Sequence, residues 1–233
     1  MIIAIDGPAG AGKSTVCKML AKRLGLAYLD TGAMYRAVAW ALESAPENRG
    51  ASQTDLEDPL AGQLLERLGL RFVIEKDRLE IYWGQKHLRE QLRGPQVTEA
   101  ASRLSRLPAV RQFLVARQRE LARQGRGVVA EGRDTATVVF PEAELKVFLT
   151  AALKTRAKRR YEEYRAQGVA LALEKVEALL AQRDDADSMR DHSPMRQAEN
   201  AFLLDTSGLC VEEVVERLAE KARNLSIALV DGS

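Results

Sequence analysis

Cysteine is scarce in this 233-residue chain, and no apolar stretch approaches membrane-spanning length. The two cysteines, Cys17 and Cys210, are far apart, and neither belongs to a C-x-x-C pair. That excludes a disulfide scaffold and a thiolate metal ribbon, and predicts buried free thiols in a reducing compartment. Charge of either sign is not in excess: the formal net charge is +2, which gives no general reason for nucleic-acid or membrane binding. Repeats and low-complexity segments are absent as well. Met1 leads straight into an apolar run, which predicts no signal peptide and a cytoplasmic protein. What remains is ordinary soluble composition, 46% hydrophobic and 29% charged, enough for one sizeable core.

Against that background one stretch stands out. Gly7-Pro8-Ala9-Gly10-Ala11-Gly12-Lys13-Ser14-Thr15 follows the apolar run Ile2-Ile3-Ala4-Ile5 and opens a helical pattern. Its spacing, G-x-x-x-x-G-K-[ST], is that of a phosphate-binding loop between a buried strand and a helix. The glycines let successive N–H groups turn inward, and the helix start adds positive potential. Lys13 is placed to reach the β- and γ-phosphates of a nucleoside triphosphate, and the Ser14 hydroxyl to ligate Mg²⁺.

Alternation of strand and helix patterns continues along the chain. Ser14 to Leu24 reads as an amphipathic helix stopped by Gly25, Leu26–Leu29 as a strand, and Ala33 to Glu43 as a second helix. Pro46–Gly50 is a polar break with the composition of a mobile loop, and Thr54-Asp55-Leu56-Glu57 offers a capping box for a helix through Leu68. Leu70–Glu75 and Leu79–Trp83 flank Lys76-Asp77-Arg78 as a hairpin, with Lys86–Leu88 a third short strand and Trp83 and His87 packing the insert. Helices follow from Pro95 to Leu107 and from Pro108 to Gln124, each with proline in its first turn. Gly127–Glu131 and Glu144–Leu149 read as strands, Lys154–Arg165 and Leu171–Arg183 as an αα-hairpin, and Ala201–Asp205 as the last strand. Val211–Arg223 closes the fold, and Asn224–Ser233 reads as a loose end. Five short apolar strands between helices predict an α/β fold, a five-stranded parallel sheet with helices on both faces. A small antiparallel insert and a helical lid complete the expectation.

Ligands of such sheets sit outside the carboxyl ends of the strands. This rule selects the phosphate loop, Asp30–Arg36 and Gly132-Arg133-Asp134. Arg36 and Arg133 at that edge make a clamp suited to a second anion. Asp134 is of the type that accepts from the amino group of cytosine. Ser102 and Arg111 flank the Leu107-Pro108 bend, and Arg183–Asp191 follows the αα-hairpin. The basic stretch from Lys154 to Arg165 reads as a lid whose arginines close on a triphosphate. A hydroxyl acceptor needs a carboxylate base, whereas a phosphate acceptor is already ionised and needs its repulsion relieved. Several arginines and no obvious base favour a nucleotide monophosphate. Two other readings stand beside it: a kinase of a hydroxyl acceptor using Asp30 or Asp134, and an RNA-binding module using the basic helix.

Four segments together resemble the bacterial cytidylate kinases: Ile5–Ser14; Leu29–Arg36; Glu131–Asp134 with Thr137–Pro141; and Arg183-Asp184 through Asp187–Arg190 to Pro194. The resemblance covers Ile2 to about Ala222. It implies a P-loop nucleoside monophosphate kinase that transfers phosphate from MgATP to CMP or dCMP, with UMP a poorer acceptor. It implies a core at 1–45, 95–152 and 194–224, a CMP-binding region at about 46–94 and a lid at about 153–193. By similarity Gly7–Thr15 bind ATP, Ser14 its Mg²⁺, and Lys13, Arg133, Arg190 and the lid residue Arg160 serve the transfer. Arg156 is a second lid contact to ATP. Arg36, Arg133 and Arg190 hold the acceptor phosphate, with Thr31 close by. Ser102, Arg111 and Asp134 read cytosine, and Arg183 and Asp187 bind ribose. A monomer without nucleic-acid or membrane partners is expected. The chain departs from the family pattern at Thr135-Ala136, where Ile-Gly is usual, and at Met195, where Leu is usual.

Overall fold

Strand β1 (Ile2–Asp6) is buried on both faces from Ile3 onward, which is why it reads as an unbroken apolar run. The computed structural model describes residues 1–44, 61–166 and 168–231. The break at Pro46–Gly50 and the capping box at Thr54–Glu57 lie outside them. Further elements are α1 (Lys13–Leu24), β2 (Ala27–Asp30), α2 (Thr31–Ser44), α3 (Ala61–Arg67), β3 (Leu70–Glu75), β4 (Arg78–Trp83) and β5 (Lys86–His87). Then come α4 (Pro95–Leu104), α5 (Pro108–Arg123), β6 (Val128–Glu131), β7 (Leu145–Thr150), α6 (Leu153–Ala166), α7 (Leu173–Ser188), β8 (Phe202–Asp205) and α8 (Val211–Asp231). The fold is α/β with a mostly parallel sheet, as the alternation of patterns predicts.

The chain divides into two units, Met1–Leu26 with Val128–Ser233, and Ala27–Gly127. In the first, four parallel strands run in the order β6-β1-β7-β8. Ile5 stands opposite Glu131 in the β1–β6 register, so the acid ending β6 lies level with the start of the phosphate loop. Helices α1 and α8 pack together, and Leu20 of α1 and Val214 and Leu218 of α8 are buried.

In the second unit β3 and β4 form the expected hairpin, turned at Lys76 and Asp77, both with positive φ. The insert does not stand apart: β4 pairs in parallel with β2 at Tyr28 and Arg78, extending that strand's sheet. Trp83 packs edge-on against Trp40 at 5.1 Å, and His87 stacks on Tyr82 while bonding Glu80. Both therefore organise the insert.

Three expectations are corrected. Residues 224–231 continue α8 instead of fraying, since the helix runs to Asp231. Helix α7 reaches Ser188, so Arg183–Ser188 are helical and not a following loop. Neither cysteine is in a disulfide; Cys17 is buried, but Cys210 is exposed just before α8.

Candidate active site

Gly7 turns the chain out of β1 at φ +145°, where a Cβ would lie 1.9 Å from the Leu149 carbonyl oxygen. No other residue fits there. Helix α1 begins at Lys13 without a side-chain cap and without an acidic residue in its first turn. Its N–H groups and positive end are thus left for an anion. The Lys13 ammonium folds back on the loop, donating to the carbonyls of Gly7 and Pro8 at 2.8 Å each. Burial, then the nearby Arg133 charge, push its pKa down to about 7, against the pull of Glu131 and Cys17. The Ser14 hydroxyl donates to Glu131 Oε2 at 2.9 Å. Glu131 was not among the predicted site residues. Its signal was the apolar run Val128–Ala130 ending in a single acid, and only the β1–β6 pairing gives that acid its neighbour.

The turn Gly132-Arg133-Asp134 is held to β1. Gly132 N–H donates to Ile5 O, and the Asp6 carboxylate accepts from Thr135 N–H, Thr135 Oγ1 and Ala136 N–H at 2.7–2.8 Å. Residues Thr135–Val139 form a π-helical turn, a deformation common at functional sites. The departure at Thr135-Ala136 therefore adds a hydroxyl to the anchor beneath Asp134. Burial raises the Asp6 pKa to about 6 against the pull of those donors.

Arg133, Arg183 and Arg190 converge on Asp187, which is 1% exposed. Arg133 Nε donates to Asp187 Oδ2 at 2.8 Å, Arg190 Nη2 donates to Oδ1, and Arg183 Nε lies 4.0 Å away. Burial works to raise the Asp187 pKa, but the three guanidiniums outweigh it and hold the carboxyl below its ordinary value. Three guanidinium groups thus gather on one buried carboxylate. Met195 contributes its backbone N–H to Asp187 O, a contact indifferent to its side chain.

Two arginines of the basic helix α6 turn inward. Arg156 is buried against the loop, and Arg159 donates to Thr206 Oγ1 and O. Thr206 Oγ1 in turn donates to Ala11 O at 3.3 Å, so Arg159 supports the phosphate loop at one remove. Arg160 pairs with Glu163 and lies over the Tyr164 ring.

The second unit groups the remaining candidates. Asp30 ends β2 and accepts from Ala33 N–H and from Arg36 Nη2 at 3.0 Å, fixing the first turn of α2. Gly32 leaves room for this pair: a Cβ there would meet Arg36 Nη1 at 3.1 Å. Thr31, the first residue of α2, is buried. Arg111 donates to Ser105 O, and the Ser105 hydroxyl donates to Ser102 O. Ser105, another residue that sequence reading missed, thereby ties the end of α4 to the start of α5. The Arg111 guanidinium lies 5.9 Å from the Tyr35 ring centre.

A glycine loop joining a buried parallel strand to an uncapped helix, with lysine and hydroxyl in register, defines a class. These are the P-loop proteins, which hold nucleotide phosphates on backbone N–H groups. Within that class the chain belongs to the cytidylate kinase family, whose profile matches residues 3–224. It is 45% identical over 221 residues to a cytidylate kinase of Carboxydothermus hydrogenoformans, covering 94% of this chain and 96% of that one. Identity is 43% over 224 residues to a cytidylate kinase of Lactococcus lactis subsp. cremoris, covering 96% and 97%. A bifunctional pantoate ligase/cytidylate kinase of Synechococcus elongatus is 44% identical over 229 residues, covering 96% of this chain and 42% of that protein. Among the described residues no helix is long and apolar enough to cross a membrane.

Proposed function

We propose that the protein transfers the γ-phosphoryl group of ATP to CMP or dCMP, giving CDP or dCDP and ADP. One observation carries this reading: three arginines share the buried carboxylate of Asp187 in the same unit as the phosphate loop. Guanidinium groups gathered at one carboxylate suit a phosphorylated molecule, whose oxygens they can hold in pairs, and an uncharged alcohol offers no such charge.

In the reaction the N–H groups of Gly7–Thr15 hold the triphosphate, and Lys13 leaves its loop carbonyls for the β- and γ-phosphates. Ser14 and Glu131 present hard oxygens side by side, a donor pair that fits Mg²⁺. When bound, the cation neutralises charge on the phosphates being separated. Arg133 and Arg190 hold the acceptor phosphate, with Arg36 of the second unit in the same role and Thr31 beside it. Asp134, Ser102 and Arg111 read cytosine, and Asp187 and Arg183 bind ribose. Arg160 serves the transferring group. No general base is required, because the acceptor oxygen is already ionised; catalysis is positioning and charge neutralisation. Residues 1–45, 95–152 and 194–224 act as the core, about 46–94 as the acceptor region and about 153–193 as the lid. The enzyme works as a cytoplasmic monomer, without nucleic-acid or membrane partners.

The test is coupled ADP production with CMP, dCMP, UMP, AMP, shikimate or buffer as acceptor. Turnover with CMP and dCMP well above the others is expected. Turnover with shikimate and none with CMP would overturn the reading.

A further inference from the structure

Arg156 and Asp184 meet behind the phosphate loop. Arg156, in the first turn of α6, donates through Nε to Ala151 O at 2.9 Å and through Nη1 to Ala9 O at 3.0 Å. The same Nη1 reaches Asp184 Oδ2 at 2.5 Å. Asp184 belongs to the last turn of α7, and its other oxygen accepts from Ala9 N–H at 3.2 Å. Both backbone polar groups of Ala9 are therefore held, the N–H by Asp184 and the carbonyl by Arg156.

The surrounding packing leaves little slack. The Ala9 methyl lies in a cluster with Ala157, Val176 and Leu180, from the same two helices. A Cβ on Gly10 would meet Arg156 O at 3.0 Å and Arg156 Cβ at 3.1 Å. The Arg156 side chain is 9% exposed, so its charge is spent on the loop and its supports.

We infer that Arg156 and Asp184 are positioning residues for the donor nucleotide, a bracket that fixes the phosphate loop through Ala9 before ATP arrives. The inference rests on the loop being the ATP site. A loop rich in glycine has much backbone freedom to lose. Fixing Ala9 on both sides removes part of that loss from the binding step and keeps the neighbouring N–H groups aimed. The sequence-based role of Arg156, direct contact with ATP, gives way to action through the backbone. Asp187 lies three residues beyond Asp184 on the same face of α7, so that turn also carries the carboxylate shared by the arginines.

The test compares Asp184→Asn, Arg156→Lys and the double variant in the full chain. Asn keeps the size of Asp but places an amide donor against a donor it must face, and a compact ammonium cannot span the separated acceptors that the guanidinium fork reaches. Calorimetry reads the affinity for ATP and, separately, for CMP; thermal midpoints are recorded alongside. Each single variant is expected to weaken ATP binding about tenfold while CMP affinity stays within about twofold, and the double variant to lose less than the sum. If Arg156 met the triphosphate directly, Asp184→Asn would leave ATP binding unchanged or tighten it, because a nearby negative charge is gone. That result overturns the bracket. So does a lowered midpoint with unchanged ATP affinity, which makes the pair merely structural. An unaltered protein that binds no ATP overturns the ATP-site reading itself, before any variant is made.

Discussion

The Thr135 hydroxyl donates to Asp6 at 2.7 Å, tying the end of β1 to the turn that carries Arg133 and Asp134. Asp6 is buried, and its pKa is raised from 3.8 to about 6 chiefly by that burial. A raised pKa means that the folded chain binds more protons than the unfolded one between those values. The contribution is complete below the unfolded pKa and is lost as pH rises through the folded one. Relative to Asp6→Asn, which does not titrate there, the unaltered protein should lose about 1 kcal/mol between pH 5 and pH 7. Melting midpoints of both proteins at the two pH values check this. A gap that does not change between them refutes it.

Lys13 has the opposite sign. With its pKa lowered to about 7 by burial and by Arg133, it is mostly neutral at pH 8. A bound triphosphate favours the ammonium, so ATP binding at pH 8 takes up a proton. Titration calorimetry in two buffers of different ionisation enthalpy measures this uptake, and Lys13→Ala abolishes it. Turnover of that variant falls by about a hundredfold or more while the fold survives. An active Lys13→Ala protein would remove the residue from its assigned role.

Glu131 sits beside Ser14 and not in the solvent. Glu131→Gln keeps the contact to the hydroxyl but removes the negative charge. The Mg²⁺ concentration giving half-maximal turnover is expected to rise about tenfold, with saturating turnover reduced less. Cation binding followed with Mn²⁺ by electron paramagnetic resonance gives a second readout. An unchanged cation requirement in both assays would exclude Glu131 from the metal site.

Asp134→Ala is expected to reduce kcat/KM for CMP by one to two orders of magnitude and for UMP by much less, because UMP lacks the amino group. Steady-state kinetics with both acceptors decide it. Equal losses would show that Asp134 shapes the turn above Asp6 without reading the base.

Much of the site was legible because local sequence carries it. The glycine spacing of Gly7–Thr15, the proline starts of α4 and α5, and the polar turn Lys76-Asp77 each set a backbone from within a few residues. Other features were not legible. Helix α7 runs past Arg183, where the sequence pattern ends it, to Ser188, and its Asp187 is buried under two local arginines, Arg183 and Arg190, and one from a distant turn, Arg133. Likewise Asn224–Ser233 looked like a tail, although α8 runs to Asp231.

By itself the amino-acid sequence determined the alternation of strands and helices, the phosphate loop and the inventory of arginines, all of which follow from spacing along the chain. Only the tertiary structure decided which charges meet. Ser14 and Glu131 are 117 residues apart, Asp6 and Thr135 are 129 apart, and Ala9 and Asp184 are 175 apart. No local preference encodes such pairs. The parallel sheet aligns its strand ends and the helices pack against the loop, and burial then makes each partner necessary to the other.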